Sequence, residues 1–178
     1  SNALSRRRRS LPAKWRTNPA RSIDPLKVLF LCTGNSARSI LAEAIARAHG
    51  INAFSAGSQP TGQLNPLATE VLEHHDLDAS TASSKSWDIY SEEQFDVVVT
   101  VCDRAANETC PIWIGSPQNL HWSIADPTTP EAFETVYRYL TKLITGSREL
   151  RAWLAFLEVT TRFSSPCGSS LVAMLSPC

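Results

Sequence analysis

Cys32 and Arg38, with five residues between them, are the pair in this sequence best suited to chemistry on an anion. A thiolate is a strong nucleophile, and a guanidinium is a planar fork for two oxygens of a tetrahedral anion. The segment Cys32-Thr33-Gly34-Asn35-Ser36-Ala37-Arg38-Ser39 is short enough to curl so that successive backbone N–H groups point inward as an anion nest. A helix starting at its end would add the partial positive charge of its N-terminus. Gly34 permits a backbone conformation that a Cβ would hinder, and Ser39 can donate a hydrogen bond to the Cys32 sulfur. Each feature favours thiolate over thiol, so a lowered Cys32 pKa is expected. The loop thus predicts nucleophilic attack at phosphorus or arsenic.

The elements around the loop must hold it in place. Leu26–Leu31 is a short apolar run, as expected of a buried parallel strand ending at Cys32. Ile40, Leu41, Ala44, Ile45 and Ala48 recur at helical spacing, and Gly50 marks the helix stop. Ile51–Ser55 reads as a second strand closed by Ala56-Gly57, and Pro66 opens a second helix. Trp87–Glu93 reads as a short helix and Phe95–Val101 as a strand rich in β-branched residues. Residues 102–118 read as one long irregular stretch, and Asn119–Ile124 as the last strand. Pro130 begins a long helix carrying Phe133, Val136, Tyr137, Leu140, Leu143 and Ile144, with a kink expected at Gly146 and a continuation over Leu150–Leu157. This alternation predicts a single α/β domain with a parallel sheet and helices on both faces. Ligands in such sheets lie at the carboxyl ends of the strands, where Cys32 and Cys102 both fall.

The domain is expected over residues 26–157, after a disordered basic leader at 1–25 and before a flexible tail at 158–178. Ser1-Asn2-Ala3 reads as an expression-tag scar. The formal net charge of zero hides an asymmetry, because residues 1–25 hold seven of the seventeen bases and one of the seventeen acids. The remainder is acidic, so nucleic acid is not an expected partner. No apolar run is long enough for a bilayer and no secretory signal is visible, which predicts a cytoplasmic protein without a membrane partner. Five cysteines (Cys32, Cys102, Cys110, Cys167 and Cys178) are an odd number without C-x2-C spacing, so neither a disulfide framework nor a metal site is expected. Cys167 and Cys178 read as incidental thiols in a Ser-rich tail. His74-His75 reads as a helix end, His121-Trp122 as strand packing, and Lys85 and Trp87 as a surface lysine and a core tryptophan rather than site residues.

From Val28 to Glu43 the sequence resembles the phosphate loop of low-molecular-weight tyrosine phosphatases, and more closely that of the arsenate reductases built on the same fold. The resemblance continues through Ser55-Ala56-Gly57-Ser58, Ser84-Lys85-Ser86-Trp87, Phe95–Cys102, Cys110-Pro111 and His121-Trp122 to Asp126-Pro127, about residues 26–145 in all. It implies a four-stranded parallel sheet flanked by helices. It implies Cys32 as nucleophile, Arg38 as oxyanion clamp, Asn35 as the residue fixing the loop, Ser39 as thiolate partner and Asp126 as general acid. The oxyanion is then held by Thr33, Gly34, Asn35, Ser36, Ala37, Arg38 and Ser39. Taken without the family, Asp126-Pro127 reads as an ordinary turn. Some relatives bind potassium near the loop asparagine, which extends to Asn35 as an expectation.

Both branches of the family form a covalent adduct on the loop cysteine. A phosphatase lets water attack phosphorus, whereas an arsenate reductase needs further thiols to supply electrons. Cys102 and Cys110 stand where such thiols could act. The phosphatases carry a second cysteine within the loop and a proline just after it, where this chain has Ala37 and Ile40. They also place aromatic residues after the Asp-Pro, where this chain has Thr128-Thr129-Pro130. The resemblance therefore implies a bacterial enzyme of arsenical resistance that reduces arsenate to arsenite, with residual phosphatase activity. It implies no tightly bound cofactor and an external reductant, thioredoxin in preference to glutathione with glutaredoxin. The alternatives are a phosphatase acting on phosphate monoesters and a non-catalytic oxyanion-binding or redox-sensing module.

Overall fold

In a computed structural model, residues 26–107 and 111–150 are described. At the centre is strand β1 (Lys27–Cys32), buried from Val28 onward. A strand buried on both faces needs apolar residues at every position rather than at alternate ones. Val28, Phe30 and Cys32 point to the larger of two core clusters, and Leu29 and Leu31 to the smaller.

β1 pairs in parallel with β2 (Asn52–Gly57) on one side and β3 (Val97–Thr100) on the other. β4 (Gln118–His121) pairs in parallel with β3, giving the order β2-β1-β3-β4. Helices α1 (Arg38–Ala48), α2 (Pro66–His74) and α4 (Pro130–Gly146) bury Ile40, Leu41, Ile45, Leu72, Phe133 and Leu140 in the larger cluster. On the other face Phe95 and Trp113, with Phe54, Trp87 and Tyr90 packed against them, cover Leu29, Leu31 and Val98. Asn65 caps α2 and Thr129 caps α4, each followed by a proline at the first helical position.

The chain runs from β1 outward to β2, then crosses back over β1 to β3 and β4. The strand order therefore reverses between β1 and β3. Their carboxyl ends, at Cys32 and Thr100, form the crevice where α/β sheets bind ligands.

Several strand and helix ends shift by a residue or more from expectation, and the larger differences have physical reasons. The stretch after Cys102 is not wholly irregular, because a five-residue helix α3 (Asp103–Asn107) occupies its start. So short a helix carries no readable periodicity. The last strand ends at His121 rather than Ile124, because pairing to β3 stops at Thr100. Gly146 ends α4, with Ser147 in an extended conformation, and does not kink it. The leader 1–25, Cys110, the segment 151–157 and the tail with Cys167 and Cys178 lie outside the described residues. Among the described residues no helix is long and apolar enough to cross a membrane.

Phe133 is fully buried in the larger cluster. Phe133→Ala should cost about 3–5 kcal/mol, seen as a lower urea midpoint with an unchanged slope.

Candidate active site

The loop between β1 and α1 is shaped by the segment that follows β2. The carbonyl of Thr33 accepts from Gln59 N–H (2.9 Å), that of Gly34 from Thr61 N–H (3.0 Å) and that of Ser36 from Asn65 N–H (2.9 Å). In a trans peptide the N–H points opposite to the carbonyl. With these carbonyls turned outward, the N–H groups of the same peptides face the other way, and that of Asn35 reaches the Cys32 sulfur at 3.1 Å. Helix α1 adds to this polarity, since no side chain caps its start and no acid sits in its first turn. Gly57, directly across from Cys32 in the β1/β2 register, lets the loop lie this close. A Cβ there would stand 2.5 Å from the Thr33 carbonyl oxygen.

Asn35 adopts a positive φ of 44° and is fully buried. Its side-chain oxygen accepts from the Lys85 N–H (2.8 Å), which fixes which way the amide points. Its Nδ2 then donates to Ser39 Oγ and to Ser55 Oγ, both at 2.9 Å. Ser39 Oγ in turn shares a hydrogen bond with the Cys32 sulfur 2.9 Å away. Ser55 Oγ donates to the buried Glu43 carboxylate. A continuous polar chain thus runs from the Cys32 sulfur to a buried charge.

An open cavity of about 510 Å³ lies over the loop, lined by Cys32, Thr33, Gly34, Ser36, Ala37 and Arg38. Cys102, Asp103, Arg104 and Asp126 line it from the other strands, with Gln59, Thr61, Ile124 and Ala125. Cys32, Arg38, Cys102 and Asp126 are therefore brought together. Asn35 and Ser39 support the floor from below and are not in the lining. Cys110 is outside the described residues. Arg38 is held by Asp126, with Nη2 to Oδ1 at 2.9 Å, and donates Nη1 to the Ile124 carbonyl at 2.8 Å. The Cys102 sulfur accepts from the Ala105 N–H (3.4 Å) and lies 3.8 Å from Thr33 Oγ1.

Burial pushes the Cys32 thiol above its ordinary value, against the expected lowering. The hydrogen bonds of Ser39 and the Asn35 N–H pull it down, and neighbouring Cys102 pushes it up. Sequence reasoning counted the hydrogen bonds and missed that Cys32 is only 3% exposed. Hydrogen bonds with Ser123, and then His121, hold the Asp103 carboxyl below the usual carboxylate range.

Several residues of this region escaped sequence reasoning. Asp103 and Arg104 fell in a stretch read as irregular. Glu43, Ser55 and Gly57 lay in quoted motifs, yet nothing local marks them as neighbours of Cys32. Lys85 is not a surface lysine: its side chain is 18% exposed and its ammonium faces Glu43. His121 does more than pack, linking Thr100 Oγ1 (2.8 Å) to Asp103 Oδ1 (3.1 Å).

A parallel sheet with an oxyanion-sized nest and a buried thiol at its switch point defines an α/β protein of the phosphate-loop type. Residues 27–158 match the low molecular weight phosphotyrosine protein phosphatase family, and the chain belongs to that family. Among sequence relatives, the arsenate reductase of Staphylococcus xylosus is 37% identical over 112 residues, covering 61% of this chain and 84% of the relative. Among solved structures, an arsenate reductase in the phosphate-binding state is 27% identical with a TM-score of 0.60, covering 68% of this chain and 95% of that one. An arsenate reductase in the oxidized state is likewise 27% identical with a TM-score of 0.59, covering 67% and 94%.

Two substitutions test the geometry. Gly57→Ala should destabilise the protein by about 1–3 kcal/mol and weaken phosphate binding, measured by urea unfolding and calorimetry, because the loop must shift away from the new methyl. Ser39→Ala removes a bond that lowers the Cys32 pKa, so that pKa should rise further. Alkylation of Cys32 by iodoacetamide near pH 7.5, followed in a Cys102→Ser background, should slow by about tenfold.

Proposed function

We propose that the protein reduces arsenate to arsenite through a covalent Cys32–arsenic adduct resolved by protein thiols. The observation that carries this reading is a second buried free thiol, Cys102, lining the same cavity as Cys32. Relatives named arsenate reductase support it, as does a cavity without an aromatic side chain among its described lining residues. A pocket for a phenyl ring would need such a wall.

The Cys32 thiolate attacks arsenic(V) while Asp126 protonates the departing oxygen, leaving a sulfur–arsenic(V) bond. Arg38 exchanges its Asp126 contact for the oxyanion, which frees the Asp126 carboxyl to carry a proton. Loop N–H groups stabilise the charge on the arsenic oxygens. The Cys102 thiolate then attacks the Cys32 sulfur. The sulfur–arsenic bond breaks, its electron pair stays with arsenic, and arsenite leaves as a Cys32–Cys102 disulfide forms. Cys110 attacks Cys102, releases the Cys32 thiolate and forms a Cys102–Cys110 disulfide. An external dithiol protein of the thioredoxin type returns both thiols to the reduced state. This route is favoured over glutathione with glutaredoxin because it uses both Cys102 and Cys110.

The same loop and Asp126 would serve hydrolysis of a phosphate monoester, with water replacing Cys102 as the second nucleophile. The family description favours keeping this activity as a residual one.

A paired assay separates the readings. Arsenate-dependent NADPH oxidation with thioredoxin and thioredoxin reductase should proceed, with slow hydrolysis of an aryl phosphate alongside. Cys32→Ser should abolish both, whereas Cys102→Ser and Cys110→Ser should stop arsenate turnover and spare phosphate hydrolysis. Brisk phosphate hydrolysis without arsenate turnover would overturn the reductase reading, and the absence of both would leave a binding module.

A further inference from the structure

Among the described residues Glu43 is the one buried acidic residue, with its side chain 4% exposed. A charge taken out of water must be met by a counter-charge and by hydrogen bonds. Arg47, one turn further along α1, meets Oε1 at 2.6 Å. Oε2 accepts from Ser55 and faces the Lys85 ammonium at 3.6 Å. This second oxygen is the one joined through Ser55 and Asn35 to Ser39 and the Cys32 sulfur. Lys85 therefore acts on the loop twice. Its backbone N–H orients the Asn35 amide, and its ammonium balances the charge at the far end of the same chain.

An alkali ion expected near Asn35 from the family resemblance does not fit these residues. Such an ion needs several oxygens with free lone pairs. Asn35 Oδ1, Ser55 Oγ and both Glu43 oxygens each already accept from a hydrogen-bonding or cationic partner, so each has less capacity left for an ion. Two cationic groups beside the carboxylate would also repel the ion. Ser58 Oγ is the only buried side-chain polar atom without a partner among the described residues, and one hydroxyl does not make an ion site.

We infer that Lys85 is a positioning residue whose ammonium, beside Arg47, supplies from within the chain the positive charge that Glu43 requires, so that the loop is built without an alkali ion. The inference concerns the resting protein and holds whichever oxyanion is turned over.

The test measures melting temperature and Cys32 alkylation rate in KCl and in choline chloride at equal ionic strength. The wild-type protein should give the same values in both salts. Lys85→Met should melt about 5–10 °C lower in choline chloride and alkylate at a rate changed several-fold. KCl should restore at least about half of each change, since the methionine leaves the Oε2 side of the buried carboxylate without its cation, a place that a small cation can then reach. Lys85→Arg should behave as wild type. Lys85→Met combined with Glu43→Gln should again be indifferent to potassium, because the charge that needs a cation is gone. A wild-type protein stabilised by potassium over choline overturns the inference. So does a Lys85→Met protein that gains nothing from potassium, whether it is folded or unfolded in choline chloride.

Discussion

The orientation of one buried amide, that of Asn35, governs the geometry of the site. Its oxygen is claimed by a backbone N–H from residue 85 and its nitrogen by two hydroxyls. Rotating the amide by half a turn would set oxygen against acceptors and nitrogen against a donor. In a buried site each mismatch costs about 1–3 kcal/mol, so a single orientation dominates. That orientation anchors both serines of the chain, which runs from the Cys32 sulfur at one end to Glu43 at the other. It also holds residue 35 at its positive φ of 44°, a conformation rarely taken without glycine.

Rigidity of the floor contrasts with the arrangement above it. Arg38 belongs to the first turn of α1, where its charge opposes the helix dipole, and in the resting protein Asp126 offsets that charge. The Cys32 thiol is pushed up by burial and pulled down by hydrogen bonds on its own loop. In the proposed reaction an oxyanion entering the cavity would change the balance, because it would draw Arg38 away from Asp126 and toward the loop. The proposed nucleophile and the proposed acid are thereby prepared by the same event. A protein that kept Cys32 permanently ionised would also expose it to any passing oxidant.

Sequence reasoning reached the parts of this design that are local. The β1–loop–α1 unit was legible because an apolar run, a turn and a helical period follow one another within about twenty residues. A parallel sheet followed from the alternation of elements, its four strands from the family resemblance, and the edge that carries the site from the positions of Cys32 and Cys102. Illegible were the contacts that cross the sequence. Lys85 lies 50 residues from Asn35 and Ser55 lies 20, and neither residue type signals a partner at that distance. The direction of the Cys32 pKa was misread for the same reason, since burial is a property of the whole sheet and its helices. Helix α3 was missed because five residues carry too little pattern.

A loop of this kind cannot by itself decide between transferring a group to water and transferring electrons to arsenic. Both reactions begin with the same attack and need the same N–H groups, guanidinium and acid. The choice lies in what reaches the Cys32 adduct next. In this chain Cys102 lines the cavity, on the segment that follows the strand beside β1, with its sulfur 3.8 Å from the Thr33 hydroxyl. Its sulfur accepts from the Ala105 N–H of α3, which fixes where the side chain points. Water can enter an open cavity as well, but a thiolate held there is a far better nucleophile toward sulfur than water is. A thiol set just after β3, at the switch point where β1 and β3 lie side by side, is thus what would turn a phosphate loop toward redox chemistry.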